Sequence, residues 1–249
     1  MKRVTLILAC ILLLFGQSCR DHACKDLNDG VYQYPAIPKD HHMTKDEVDA
    51  YVDLPKKVAR CISTSGLIET CMNYPFLSLF LAGSTYQTGY NLVKSQFRGL
   101  RELENRDDAP QKLLEHYQAL DPTAYSSIDT LQMARYSLNV EYFEVIIGQN
   151  LYLNSLTKEE KVALVKRAMS VYDKKLPEVK DGSIMSQLDL DTTAAILARL
   201  MFNDQYGPFM QIVHTSQPYS NLISGFAPSI FDATQKIREL ADSYLLTIQ

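Results

Sequence analysis

The sequence predicts an all-α fold of stacked helical hairpins, or an α-α superhelix built from them. Three observations carry this. Apolar residues recur at steps of three and four through several long segments, the period of one helix face. Two capping boxes, Thr44 to Glu47 and Thr157 to Glu160, mark helix starts: the Thr hydroxyl accepts an orphan backbone N–H, and the Glu carboxylate accepts the N–H of the Thr. Paired alternating strands are not read anywhere, because Asp29-Gly30 is assigned to an N-terminal tether and Asp181-Gly182 to a link between helices.

Taken in order, the chain opens on Met1-Lys2-Arg3 and an apolar run from Val4 to Phe15 broken only by Thr5. That run is shorter than the roughly 20 residues that span a bilayer, so residues 1–18 read as a signal peptide. Gly16-Gln17-Ser18-Cys19 resembles a bacterial lipobox, although Gly16 stands where most lipoboxes carry Leu. The resemblance implies acylation of Cys19 and a lipid-anchored protein of the cell envelope, on the periplasmic or outer-membrane face. Residues 19–43 are polar, carry Pro35 and Pro38 and lack a helical period, which reads as a tether.

Residues 44–249 read as one helical domain. A helix opens at Thr44, and Pro55 suits the first turn of a second piece ending near Ile62. Ser63 or Thr64 caps a third helix, which turns Leu67, Ile68, Cys71 and Met72 inward and stops before Pro75. Helices follow over Thr85–Phe97 and Leu100–Asn105, separated at Gly99, and over Ala109–Leu120 with Leu113, Leu114 and Tyr117 on one face. The clearest period runs from about Ser127 to Gln149. After the second capping box, Val162, Val165, Met169, Tyr172 and Leu176 form a core stripe. Asp191–Asn203 and Ser229–Ile248 supply the last long helices, and Asp191 reads as a helix-start residue.

Composition narrows the function. The chain is 46% apolar and 22% charged, which excludes a disordered or fibrous class, and 25 Lys plus Arg against 29 Asp plus Glu leave a net charge of -4. No basic field for nucleic acid is present, so nucleic acid is not an expected partner. Cys10 leaves with the leader and Cys24 lies in the tether. Cys61 and Cys71 read as buried free thiols, their helical spacing being unsuited to a bridge between them.

The stretch Ser63-Thr64-Ser65-Gly66-Leu67-Ile68-Glu69-Thr70-Cys71-Met72-Asn73-Tyr74-Pro75 resembles an uncharacterised family of lipoproteins in Bacteroides-type bacteria. Phe97 to Leu103, Glu144 to Gln149 and Tyr206-Gly207-Pro208-Phe209 resemble it as well. The resemblance implies an all-helical exported protein and carries no activity with it.

No catalytic signature emerges. The histidine cluster Asp40-His41-His42, near Asp21-His22 and Cys24, lies in the tether and lacks a fold to converge its side chains, so no metal or other cofactor is expected. Gly83-Ser84 and Ser65-Gly66 are incomplete nucleophile elbows. A Cys61 or Cys71 nucleophile with His116 or His214 is weaker than a buried inert thiol. Asp189 with Asp191, and Glu102 with Glu104, point in different directions from one helix. Tyr117, Tyr142, Tyr172 and Tyr244 fall in core stripes, whereas Tyr86, Tyr90, Tyr152, Tyr206 and Tyr219 are candidates for exposure.

Two readings remain. One is a lipid-anchored binding or scaffold module, held to the membrane through Cys19 and presenting a groove to an envelope protein or a glycan. Its candidate surface is the pair of proline corners, with Tyr74 and Phe76 at one and Tyr206 and Phe209 at the other; the competing view is that these rings plug gaps between helices. The second reading is an enzyme whose site is assembled only by folding. A groove lined by Tyr and apolar residues favours the first, and a concave pocket with a His within hydrogen-bond reach of a carboxylate favours the second.

Overall fold

The computed structural model describes residues 27–36, 38, 43–124, 129–181, 187–214, 216–227 and 229–249. Among these it is all-α, with 13 helices and one two-stranded sheet. The leader, Cys19, Cys24 and the Asp40-His41-His42 cluster lie outside the described residues.

The sheet is the first departure from expectation. Strands β1 (Leu27–Asn28) and β2 (Val31–Tyr32) pair antiparallel, Leu27 opposite Tyr32 and Asn28 opposite Val31. Asp29 at φ 49° and Gly30 at φ 80° form the turn, both with the positive φ that a type I′ hairpin requires. The hairpin is docked, not suspended. Tyr32 N–H donates to Thr70 Oγ1 at 3.1 Å, the Tyr34 hydroxyl donates to the Thr70 carbonyl at 3.1 Å, and Leu27, Tyr32 and Tyr34 pack on the core. The approach is so close that a Cβ on Gly66 would stand 2.1 Å from the Gly30 carbonyl oxygen, so Gly66 can carry no side chain there. From Leu27 to Tyr34 the segment assigned to a tether therefore belongs to the folded body.

Beyond it, α1 (Lys45–Val52) carries the expected Thr44–Glu47 capping box, and α2 (Lys56–Cys61) starts after Pro55. In α3 (Thr64–Met72), Ser63 Oγ accepts the Gly66 N–H, and Leu67, Ile68 and Cys71 are buried. A 3-10 turn (Leu77–Ala82) precedes α4 (Tyr86–Gln96). Gly89 lets these two touch, since a Cβ there would stand 1.9 Å from the Phe80 carbonyl oxygen. Helices α5 (Arg98–Glu104) and α6 (Ala109–Ala119) complete the N-terminal part.

The C-terminal part contains α7 (Thr130–Ile147), α8 (Asn150–Leu153), α9 (Lys158–Lys180), α10 (Gln187–Asn203), α11 (Gly207–Val213), α12 (Gln217–Gly225) and α13 (Phe231–Ile248). Asp129 caps α7 by accepting from the N–H groups of Leu131 and Gln132; the expected start near Ser127 lies outside the described residues. Every residue from Asp189 to Met201 is buried. A helix covered on all sides is a central one, and α7, α9, α11, α12 and α13 all pack against α10. Ala194, Ala195 and Ala198 keep its girth small enough for that. The two parts join where Arg167 of α9 donates to the Tyr117 carbonyl at 2.9 Å and to that of Leu120, satisfying free carbonyls at the C-terminal end of α6.

Because Tyr34 is packed edge-on to Tyr74 at 5.9 Å and bonded to Thr70, Tyr34→Ala should cost about 3 kcal/mol. At roughly 2–4 °C per kcal/mol, thermal denaturation should show Tm lower by about 6–12 °C. A free tether would show no change.

Candidate functional site

The interior holds a polar network that hydrophobic patterning does not announce. Ser137, Glu141 and Glu144 line one face of α7 at steps of four and three, all buried, and meet α9 and α10. Glu144 and Lys175 form an ion pair at 2.8 Å with both side chains fully buried. The Glu144 carboxylate also accepts from Tyr117 at 2.8 Å, from Thr193 at 2.7 Å and from Thr192. Lys175 Nζ donates further to the Asp189 carbonyl at 2.9 Å and to Thr193 Oγ1 at 3.0 Å. Every donor of the ammonium and both carboxylate oxygens are thus engaged, which a buried pair needs to offset its desolvation. The network is a clamp across α6, α7, α9 and α10, with no group left over for a substrate.

One turn earlier, the Glu141 carboxyl meets Asp189, while Tyr86 donates to Glu141 and Ser137 donates to Asp189. Burial, together with the neighbouring Asp189 charge, raises Glu141 to about 8, against the opposing pull of the Tyr86 hydrogen bond and Lys175. Glu141 is therefore a proton-bearing acid at neutral pH. Asp189 and Asp191, two residues apart on α10, turn to different partners, as their spacing predicts. Asp191 accepts from the Ser229 N–H at 3.1 Å and hydroxyl at 2.6 Å, fixing the entry to α13; since α10 already begins at Gln187, Asp191 is not a helix-start residue. Glu102 is bound to Arg106, and Glu104 to Tyr90 and Lys94.

At the proline corners, Tyr74 is buried and stacked on Phe97 at 4.1 Å, and Phe209 is fully buried. Phe76 is half-buried, edge-on to Tyr74 at 6.0 Å, and Tyr206 is half-buried against Tyr244 at 5.3 Å. All four pack on the core. Of the tyrosines expected at the surface, Tyr86, Tyr90 and Tyr152 are buried, and Tyr206 and Tyr219 are half-buried. Their hydroxyls mislead a periodicity reading: Tyr86 and Tyr90 each reach a glutamate of another helix, so rings and hydroxyls are both satisfied inside.

Cys71 is a free, buried thiol, held protonated by burial. Cys61 corrects the expectation of a second free thiol, because it is disulfide-bonded. The other described cysteine being free, its partner lies outside the described residues.

The concave surface lies elsewhere. Between α3, α6 and α7 a cleft of about 390 Å³ is floored by Met72, Leu120, Val140 and Phe143 and rimmed by Asn73, Tyr136, Asn139 and a Glu69–His116 pair. His116 Nδ1 lies 3.2 Å from Glu69 Oε1, and the imidazole lies over the Phe143 ring at 4.5 Å. The hydrogen bond from His116 holds the Glu69 carboxyl below its ordinary value despite partial burial. A basic group in the last turn of α6 also suits the helix dipole. On the other side of the same pair is a second cleft of about 290 Å³, walled by the hairpin turn Asp29-Gly30-Val31 and by Ser63, Ser65 and Lys112. Among the described residues no three His, Cys, Asp or Glu converge to hold a metal, and no helix is long and apolar enough to cross a membrane.

Sequence reasoning weighed His116 only as a partner for cysteine and so missed this cleft. A signal existed: Tyr136, Asn139, Val140 and Phe143 recur at steps of three, one and three beside the polar stripe of Ser137, Glu141 and Glu144, which gives α7 two distinct faces. The chain matches no protein-family model, no curated protein and no solved structure, so its function rests on this geometry.

The sign of the Glu141 effect is fixed by the direction of its shift. A carboxyl raised to about 8 in the fold from 4.5 contributes stability that is fully present below pH 4.5, declines above it and is lost as pH rises through 8. Denaturant midpoints of the native chain should fall across that window, and Glu141→Gln, which cannot ionise, should flatten the fall. An unchanged slope in the variant would place the titrating group elsewhere.

Proposed function

We propose that this protein is an exported binding module of the cell envelope, anchored through acylated Cys19, and that the α3–α6–α7 cleft is its ligand site. The observation that carries the reading is the composition of that cleft: an apolar floor ending on Phe143, a polar rim, and a volume within the ~300–1,000 Å³ of small-ligand sites. Such a site suits a neutral group with one apolar face and one hydrogen-bonding edge, as presented by an aromatic side chain of an envelope protein or by a single sugar ring. The clamp beneath it supports a preformed site, because it locks together α6 and α7, two of the three helices that frame the cleft. Export and anchoring are supported by the leader-like residues 1–18 and the lipobox resemblance at Gly16 to Cys19.

A second reading has one observation in its favour. His116 and Glu69 form a hydrogen-bonded imidazole–carboxylate pair on a concave surface, the arrangement of a general base and the group that orients it. Both residues are accounted for by packing on Phe143 and by the helix end, and binding needs no further group.

Asn139 is exposed on the rim, so Asn139→Trp should fill the cleft without disturbing the core. In pull-downs of the detergent-extracted protein with mass spectrometry, this variant should lose by about tenfold or more the partner recovered with the native chain, a loss of ~1.4 kcal/mol or more, at unchanged Tm. Cys19→Ala should move the protein to the soluble fraction. Equal recovery with Asn139→Trp would contradict the assignment of the cleft, and turnover abolished by His116→Ala would establish the second reading.

A further inference from the structure

Taking the larger cleft as the ligand site, as proposed above, we infer that the two clefts form one groove for an extended segment of a partner protein, with an aromatic side chain in the larger cleft and a lysine or arginine two residues away in the smaller. Glu69 and His116 line both clefts. Along the α3 wall, the smaller cleft takes Ser63 to Glu69 and the larger Glu69 to Asn73; along α6, the smaller takes Lys112 to His116 and the larger His116 to Leu120. Numbers rise in the same direction on both walls, so α3 and α6 run parallel along the groove. Their starts are joined where Thr64 Oγ1 donates to Asp108 Oδ1 at 2.6 Å, and the Glu69–His116 contact of 3.2 Å bridges them where the clefts meet.

The spacing of the clefts sets the spacing of the side chains. From one cleft to the next, the middle of each wall moves from Gly66 to Cys71 on α3 and from Leu114 to Gln118 on α6. At ~1.5 Å per residue the clefts stand about 6–8 Å apart along the groove. An extended chain advances ~3.3 Å per residue and turns every second side chain to the same side. Side chains two residues apart therefore span about 7 Å and enter both clefts together.

Charge distinguishes the two ends. The larger cleft has no charged group besides the shared Glu69–His116 pair, and its floor is apolar. The smaller adds Asp29, Glu115 and Lys112, so three carboxylates stand against one ammonium, a formal charge of -2 before any charge on His116 is counted. Glu115 is engaged, accepting from Lys112 at 2.7 Å and from Gln111 at 3.0 Å. Among the described residues, no lysine or arginine pairs with Asp29 or Glu69. Nor does the positive end of α3 cancel them, since it already faces two oxygens: Ser63 Oγ accepts the Gly66 N–H at 3.1 Å, and the Gly30 carbonyl presses on Gly66. Such a recess repels a phosphate or carboxylate, and a neutral sugar would leave its charge unmatched. An ammonium or guanidinium meets it, and the net charge of -4 on the whole chain attracts a basic partner from a distance.

Surface plasmon resonance of the detergent-extracted full chain over tethered peptides tests this. The probes share a Gly-Ser frame and carry Phe-Ser-Lys, the reverse order Lys-Ser-Phe, Phe-Ser-Ser or Phe-Ser-Glu, and cellobiose serves as a neutral disaccharide probe. One of the two lysine peptides should bind about fivefold or more tighter than Phe-Ser-Ser, since one exposed pair contributes up to about that factor, and Phe-Ser-Glu should bind more weakly than Phe-Ser-Ser. Asp29→Asn combined with Glu69→Gln should remove the lysine preference and leave Phe-Ser-Ser binding unchanged, because Asn tolerates the positive φ of 49° at the turn and Gln still accepts from His116. Raising NaCl to about 0.5 M should shrink the preference likewise, and Asn139→Trp should abolish binding of every peptide. Equal binding of Phe-Ser-Ser and the lysine peptides, all lost in Asn139→Trp, overturns the basic segment and leaves the larger cleft as the site. Tighter binding of Phe-Ser-Glu, or cellobiose bound where no peptide is, also overturns it. Peptide binding that survives Asn139→Trp overturns the cleft reading itself.

Discussion

The buried ion pair between Glu144 and Lys175 is the contact on which the C-terminal helices depend. It stands where a hydrophobic core would ordinarily exclude charge, and the cost of removing both ions from water is offset only because each is surrounded by partners. Those partners come from Tyr117 on α6, from Thr192 and Thr193 on α10 and from the carbonyl of Asp189. An apolar core tolerates sliding of helices past one another. A saturated polar junction does not, because any displacement strands a buried donor or acceptor. The clamp therefore fixes the relative positions of α6, α7, α9 and α10, and α10 in turn organises the helices around it.

Helix α7 serves two purposes on two faces. Ser137, Glu141 and Glu144 look into the body, whereas Tyr136, Asn139, Val140 and Phe143 look into the larger cleft. Fixing one face fixes the other, so the α6 and α7 walls of the cleft share the rigidity of the clamp. A second polar junction works similarly near α4 and α12. Buried Arg199 donates to the carbonyls of Gly148 and Ile223 and to Gln87, with its guanidinium 3.9 Å from the centre of the Phe226 ring. Burial lowers its pKa to about 10, and among the described residues no carboxylate pairs with it. Phe226 takes a left-handed backbone at φ 47°, and its ring fills the place where a Cβ on Gly148 would sit, so packing holds a conformation that the residue would not choose alone.

How much of this was legible in the sequence follows from which physics is local. Both Thr–Glu capping boxes lie at helix starts because their hydrogen bonds join residues three apart. The stripe of Val165, Met169 and Tyr172 is buried because helical period alone sets it. The hairpin was illegible as strands, since two residues are too few to show alternation; Asp29-Gly30 did carry the turn chemistry, and only its docking on Gly66, a contact across the chain, gives it a place in the fold. Lys175 and Glu144, 31 residues apart, look like surface charges until α10 brings its threonines between them. At the proline corners the sequence leaves a surface reading and a gap-plugging reading both open. Tyr74 and Phe209 sit beside helix-ending turns, yet aromatic stacking and burial take them into the core. The cleft was missed because its rim combines one histidine, one glutamate and two asparagines from three helices, and no motif spans them.

The central claim is that Glu144 and Lys175 act as one unit, and a double-mutant cycle measured by denaturant unfolding tests it most directly. Lys175→Met and Glu144→Leu should each cost about 3–5 kcal/mol, because each leaves the partner's charge buried and unpaired. The double variant should cost no more than either single one, a coupling of several kcal/mol between residues in one network. Losses that simply add, with each single variant below ~1 kcal/mol, would contradict the claim and return both residues to the status of ordinary charges.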